Sequence, residues 1–374
     1  MDSKSENMVN RKLIVRDNIH YSFRSIDGHN KPFRLVISAR EAGKSTAFWL
    51  DKAYKAFLKG QTTLVLRRST VAITDAYIQS IRRILEQFNE GEFNISYCRG
   101  TLKDGIVDVK LNGQDFILIV SLSVSVDRVK SLVYHDIAQG VFDEFICNPA
   151  FGEKYQPKEY DVFREIYTTF KRFYIYEEDI KNGIDRPMFP FYFMGNPYSL
   201  YNPYFLHFKV PLAQCKKGTI LTGVNWVVQN YEITQELRDF ILKTNPLYQF
   251  DDSYTQYALE GQAINDIGIK VIPNLPRHFK LSWVLRIEGQ YIGIYSNKYY
   301  DGSNDRLYCQ FVDKSKINRN VFCFEFDDLV DGTIMKNRND TYQFIMFKVA
   351  MRNRQISFSD INCYNLSQQV YFYL

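Results

Sequence analysis

Phe33-Arg34-Leu35-Val36-Ile37-Ser38-Ala39-Arg40-Glu41-Ala42-Gly43-Lys44-Ser45-Thr46 decides how the chain folds. A run of strand-forming residues enters Gly43-Lys44-Ser45, and a helix-prone stretch follows. The pattern is a phosphate loop, G-x-x-x-x-G-K-[ST], with Ser38 in the place of its first glycine. In such a loop, backbone N–H groups at a helix N-terminus cradle phosphates. The lysine reaches the β and γ oxygens, and the hydroxyl holds Mg²⁺. Nucleotide contacts are therefore expected from Ser38, Ala39, Arg40, Glu41, Ala42, Gly43, Lys44, Ser45 and Thr46, with Ser45 a ligand of Mg²⁺. A nucleoside triphosphate is the implied ligand.

The chain has 374 residues, room for two domains, and its 45% apolar content describes a core-forming protein. The net charge of +5 is compatible with a polyanionic partner without requiring one. The six cysteines are scattered with no C-x-x-C pair, which reads as reduced thiols rather than disulfides or a zinc site. Met1–Lys12 is polar and does not read as a signal peptide, and no uncharged run reaches membrane-spanning length.

Outward from the loop, helix is expected over 46–58 and 74–88, where apolar residues recur at helical spacing. Strands are expected over 62–66, 93–97, 106–111 and 116–121, with Asn112-Gly113 as a hairpin turn. Further strands fall within 137–146 and 189–195. Alternating strands and helices describe an α/β fold with a parallel sheet. From about Cys215-Lys216-Lys217-Gly218 the texture changes. The reading divides the chain into an ATPase domain over 1–215, a linker over 216–245 and a second domain over 246–374. In that second part 279–287 and 290–295 form a meander turning at Glu288-Gly289, strands follow at 307–312 and 321–326, and helix covers 341–352.

Gly140-Val141-Phe142-Asp143-Glu144-Phe145 supplies the second chemical element. Apolar residues ending in two carboxylates form a Walker B pattern. Asp143 would serve the Mg²⁺ shell, and Glu144 would orient and polarise an attacking water, which marks a hydrolase. The long separation of Lys44 from Asp143 suits ATPases with an extra strand between the two motifs. Standing alone, the acidic pair would read as a solvated strand end. Phe193-Met194-Gly195-Asn196-Pro197 is the third element. Asn196 reads as a sensor whose amide can donate to a γ-phosphate, or as a turn starter. Candidate cations are Arg40 within the loop, and Arg164, Lys171 and Arg172 as arginine-finger residues acting on a neighbouring subunit. Each of these also reads as a surface charge. Arg67-Arg68, Arg128 and Lys130 rank below them.

Ser38-Ala39-Arg40-Glu41-Ala42-Gly43-Lys44-Ser45, Leu66-Arg67-Arg68, Val141-Phe142-Asp143-Glu144-Phe145-Ile146, and Asn196-Pro197 with Asn202-Pro203-Tyr204-Phe205 occur in an order that resembles the DNA-packaging motor ATPases of small tailed bacteriophages, the encapsidation proteins. The resemblance implies an ATP- and Mg²⁺-dependent motor of the terminase type. It implies a ring, commonly a pentamer, that pushes double-stranded DNA through the portal of an empty capsid. Some relatives use a structural RNA. The place of work would be the host cytoplasm, transiently at the portal vertex. No membrane partner is implied. The family's loop usually carries glycine where Ser38 and Glu41 stand, and Glu41 is expected to point outward, towards a basic group on an adjacent subunit.

The same resemblance implies an RNase H-like C-terminal domain. Its first central strand, Ser282-Trp283-Val284-Leu285-Arg286-Ile287, carries arginine and no carboxylate. Nuclease chemistry needs clustered carboxylates around metal ions, so a fold kept without the metal site is expected. Lys336, Arg338, Lys348, Arg352 and Arg354 suit either phosphate backbones or a solvated face. Other readings are a helicase-like remodelling ATPase and a non-catalytic DNA-binding structural protein.

Overall fold

The computed structural model describes residues 20–89, 92–131, 136–148, 153, 155–156, 158–174, 189–200, 202–249, 270–287, 289–302, 304–324, 328–335, 342–360, 363–364 and 366–367. The chain divides into two compact units, Met1–Ile264 and Asn265–Leu374. Among the described residues no helix is long and apolar enough to cross a membrane.

Among the described residues of the first unit, nine strands form one sheet: β1 (Phe33–Ser38), β2 (Thr62–Arg67), β3 (Ile95–Ser96), β4 (Ile106–Leu111), β5 (Gln114–Ser121), β6 (Ile137–Asp143), β7 (Phe191–Gly195), β8 (Ile220–Thr222) and β9 (Trp226–Tyr231). Their spatial order is β3-β4-β5-β2-β6-β7-β1-β9-β8. The run from β5 to β9 is parallel, while β3, β4 and β8 add antiparallel edges. The β4–β5 hairpin turns at Asn112-Gly113, both at positive φ (51° and 82°), as a two-residue turn of this kind requires. β7 lies between the phosphate-loop strand β1 and the acidic strand β6, which is the extra strand expected from the sequence.

Parallel strands are covered on both faces, so their side chains are apolar on both. Leu35 and Ile37 enter one core with Leu64, Leu66, Phe142 and Phe193, while Val36, Val65, Val141 and Met194 enter the other. The second core is closed by α1 (Lys44–Phe48), which runs on through a π-helical stretch Trp49–Tyr54 to Phe57, and by α2 (Asp75–Phe88). The first is closed by α3 (Glu159–Tyr174) and α4 (Gln235–Thr244), with Tyr204 and Phe205 between. Much of the aromatic content is spent there. Phe163, for example, sets its ring 5.1 Å from those of both Phe191 and Phe193.

Gly140 in β6 makes room for this packing. A Cβ added there would lie 2.3 Å from Cε2 of Phe191. We therefore expect Gly140→Ala to destabilise the protein by about 1–3 kcal/mol through overpacking. Urea unfolding would measure this, and an unchanged midpoint would contradict it.

The linker expected over 216–245 is a correction. β9 pairs with β1 along its length, from Phe33↔Trp226 to Ser38↔Tyr231, and α4 buries Leu237 and Ile241. The texture changes because β8 is a largely exposed edge, not because the domain ends. The second unit begins at Asn265 rather than at 246.

The second unit holds, among the described residues, a seven-stranded sheet: β10 (Lys270–Val271), β11 (Phe279–Ile287), β12 (Gln290–Asn297), β13 (Leu307–Phe311), β14 (Val321–Cys323), β15 (Thr333–Met335) and β16 (Ile356–Phe358). The order is β10-β16-β13-β12-β11-β14-β15. β11, β12 and β13 are an antiparallel meander, whereas β14 and β15 run parallel to β11. Numbered by appearance, these five strands lie in the order 3-2-1-4-5, the RNase H-like arrangement expected from the sequence. Helix α5 (Tyr342–Arg352) brings Phe344 against Trp283 of β11, ring centroids 5.8 Å apart.

Candidate active site

Sheet register assembles the site. Ile37 pairs with Gly195 and Asp143 with Met194, so Ser38, Glu144 and Asn196 emerge at one end of three adjacent parallel strands. Ligands of open α/β sheets bind beyond the carboxyl ends of the strands. A cleft of about 550 Å³ lies there, lined by Arg40 to Thr46, Asp143, Glu144, Met194, Gly195, Asn196, Asn245 and Tyr248. Its size suits a nucleotide.

Gly43 takes φ +86° immediately before α1, and His20 packs so close that a Cβ on Gly43 would meet its side chain at 3.1 Å. The loop is anchored from the N-terminal side by Tyr21 N–H, which donates to Ala42 O at 2.8 Å. Ser38 fills the place of the family glycine without distortion, because it ends β1 as a strand residue. It also acquires a contact that glycine cannot make. Lys44 Nζ donates to Ser38 Oγ at 2.7 Å, to Ser38 O at 3.1 Å and to Asn196 Oδ1 at 3.3 Å. Burial pushes the Lys44 ammonium down to about 7, against the attraction of Asp143. Phosphate oxygens beside it would favour the charged form.

Asp143 ends β6 as a buried carboxylate, and Glu144 follows at φ +62° with its side chain 58% exposed. Burial raises the Asp143 pKa and Glu144 adds to the rise, while Arg67 and Lys44 pull it down. The pairing Leu66↔Phe142 brings Arg67 beside the acids. Its Nη2 donates to Glu144 Oε2 at 3.0 Å, and its Nη1 lies 3.4 Å from Asp143 Oδ2. The Tyr77 ring lies against the guanidinium, 4.5 Å from centroid to Cζ, and Tyr77 OH is 3.4 Å from Asp143 Oδ2. Thr74 caps α2 by accepting from Tyr77 N and so fixes the start of the helix that carries this ring. Although burial opposes the Arg67 charge, Tyr77, Asp143 and Glu144 together hold its pKa above the ordinary guanidinium value. A hard cation such as Mg²⁺ takes oxygen ligands and keeps several waters and phosphates in its shell. The Ser45 hydroxyl and the Asp143 carboxylate, both in the cleft wall, fit that demand.

Of the expected residues, Glu41 to Thr46, Asp143, Glu144 and Asn196 line one cleft, while Ser38 and Ala39 are not among the lining residues and accept from Lys44 Nζ. Arg40 also lines it, and its Nη2 donates to Tyr198 OH at 3.0 Å. Arg164, Lys171 and Arg172 lie on α3 and are not among the lining residues. Arg164 pairs with Asp161 on its own helix. Glu41 is exposed, as expected, and its carboxylate accepts from Asn245 and Tyr248 of its own chain. Arg67, which the sequence places below the other cations, ends β2 beside β6 and contacts both carboxylates, an adjacency that the run Thr62–Arg67 does not show. Asn245, Tyr248, Tyr77 and Tyr198 were missed, having no motif to mark them.

Arg68 points the other way, into the protein. Its Nε donates to the fully buried Glu159 at 3.0 Å, and its other nitrogens donate to Glu144 O at 3.1 Å and Phe145 O at 2.5 Å. Glu159 also accepts from Gln156 N and from Tyr204 OH.

With this geometry in hand, comparison with known proteins is specific. A family model described as podovirus DNA encapsidation protein (Gp16) matches residues 16–373. The chain belongs to that family. Solved structures similar to it include the Phi-28 gp11 DNA packaging motor, with a TM-score of 0.64 at 17% identity, covering 96% of this chain and 98% of that one. The bacteriophage Phi-29 viral genome packaging motor assembly gives 0.58 at 17% identity, covering 94% and 98%. These likenesses show a shared fold over both units. No curated protein sequence matches significantly.

In the second unit of this family member, Arg286 on β11 donates to Asp328 O at 2.7 Å and lies 3.8 Å from Asp328 Oδ1. Asp328 also accepts from Gly289 N at 2.9 Å. Among the described residues no group of three or more His, Cys, Asp or Glu gathers as a metal site. Lys336 and Arg338 lie outside the described residues.

Proposed function

We propose that the chain is the ATP-hydrolysing subunit of a motor that drives double-stranded viral DNA into a preformed capsid. The observation that carries this is the meeting of Lys44, Asp143, Glu144 and Asn196 at one cleft, in a member of the DNA encapsidation family. Lys44 and the loop hold the β and γ phosphates of ATP. Ser45 and Asp143 would hold Mg²⁺, which when bound would neutralise charge at the phosphates. Arg67 keeps Glu144 turned towards β2, so activation requires Glu144 to leave that pair and align a water with the γ-phosphate. Asn196, whose Oδ1 accepts from Lys44 Nζ at 3.3 Å, would sense the γ-phosphate through its amide.

The finer reading is a homo-oligomeric ring, taken as a pentamer, docked on the portal in the host cytoplasm. A structural RNA is a further candidate partner. One of Arg164, Lys171 and Arg172 would complete a neighbour's site, which fits their absence from the cleft of their own chain. An RNase H-like unit without nuclease activity would serve docking or DNA contact through groups such as Lys348, Arg352 and Arg354. Their role is phosphate contact, since a motor for arbitrary sequence gains nothing from base edges.

Phosphate release from ATP, measured with and without linear duplex DNA, tests the proposal. Turnover should rise with DNA and with subunit concentration, and EDTA should abolish it. Turnover that ignores both EDTA and Lys44→Ala would refute the site.

A further inference from the structure

The phosphate loop contains one residue that its chemistry does not call for. Glu41 places a carboxylate in the wall of a cleft built for anions. Its φ of +59° lies in the region that favours glycine. Backbone in such a conformation persists where surrounding contacts hold it, and here the contacts come from the far end of the same unit. Glu41 Oε1 accepts from Asn245 Nδ2 at 3.1 Å and from Tyr248 OH at 3.0 Å. Both donors line the cleft. Asn245 directly follows α4, and Tyr248 sits in the turn Pro246–Gln249, the last described element before the chain enters the second unit at Asn265.

We propose that Glu41, Asn245 and Tyr248 form a latch that a bound nucleoside triphosphate opens, so that occupancy of the phosphate loop is relayed to the segment leading into the second unit. The proposal rests on the reading of the cleft as an ATP site. A polyphosphate held by the amides of residues 39–44 brings negative charge into the cleft whose wall carries the Glu41 carboxylate, and the two like charges repel. Asn245 and Tyr248 are neutral donors and do not offset that charge. The carboxylate swings away, or the two donors turn to phosphate oxygens. Either event breaks the bonds that tie 245–248 to the loop. Loss of the tie loosens the turn whose backbone bonds are Asn245 N to Ile241 O at 2.8 Å and Tyr248 N to Asn245 O at 3.2 Å.

Hydrogen–deuterium exchange on the full chain tests this, with Mg²⁺ and a non-hydrolysable ATP analogue and with peptides covering 241–249. Calorimetry on the same samples reports whether the analogue binds. In the wild type the analogue should speed exchange there by roughly tenfold, as for opening of a local unit. Glu41→Gln keeps an oxygen acceptor but removes the charge. It should bind the analogue more tightly and leave exchange over 241–249 slow with or without it. Tyr248→Phe removes one donor and should speed exchange before any nucleotide is added. Binding of the analogue to the wild type without faster exchange would overturn the latch while leaving the ATP site standing. So would a Glu41→Gln protein that responds as the wild type does. Absence of any binding would overturn both.

Discussion

Glu144→Gln is expected to lower steady-state ATP turnover by about 10²–10⁴-fold, the usual contribution of a positioned general base. Glutamine preserves the size of the side chain and an oxygen for Arg67, so the effect isolates proton acceptance. Nucleotide affinity should stay within a few-fold of the wild type, because Lys44, the loop amides and Asp143 are untouched. The fold should also be indifferent. The Glu144 side chain is 58% exposed, and a pair so open to solvent contributes under about 1 kcal/mol. Phosphate release and analogue binding on one preparation give the answer. Turnover near that of the wild type would remove Glu144 from the catalytic role.

Arg68→Met should produce the largest loss of stability. The substitution leaves the Glu159 carboxylate, wholly buried, without its cation, and strips a donor each from Glu144 O and Phe145 O. Breaking a buried pair by removing one partner costs about 3–5 kcal/mol. At 2–4 °C per kcal/mol for a domain of this size, the melting temperature should fall by roughly 6–20 °C. Arg68→Met combined with Glu159→Gln should recover part of the loss, since the second change removes the orphaned charge. Equal melting of Arg68→Met and wild type would show that the pair holds nothing. Activity adds a second readout, because these hydrogen bonds fix the backbone at and just after Glu144.

The sequence shows the architecture through its periodicity. The β-rich run at 62–66, alternation at 106–111 and 116–121, helical spacing at 74–88 and the Asn112-Gly113 turn all became the elements they describe. The candidate site was legible because its residues sit in short contiguous motifs, Gly43-Lys44-Ser45 and Asp143-Glu144, which the fold brings to one cleft. What stayed hidden depends on the strand order. Arg67 belongs to the site because β2 lies next to β6, and adjacency in a sheet leaves no mark on local pattern. Asn245 and Tyr248 meet Glu41 from more than two hundred positions away. The boundary at 215 went wrong for a related reason, since β9 joins β1 after a polar edge strand that looks like the end of a domain.

The place of β7 fixes a length scale for the chemistry. Neighbouring strands lie about 4.8 Å apart, so β7 sets the ends of β1 and β6 about 10 Å from each other, and the side chains of Lys44, Ser45 and Asp143 face one cleft across that span. Asn196 directly follows β7 and so stands between the two, its Oδ1 accepting from Lys44 Nζ at 3.3 Å. A sheet without β7 would bring β1 and β6 to a single spacing and leave no strand end to carry an amide between the loop and the acids.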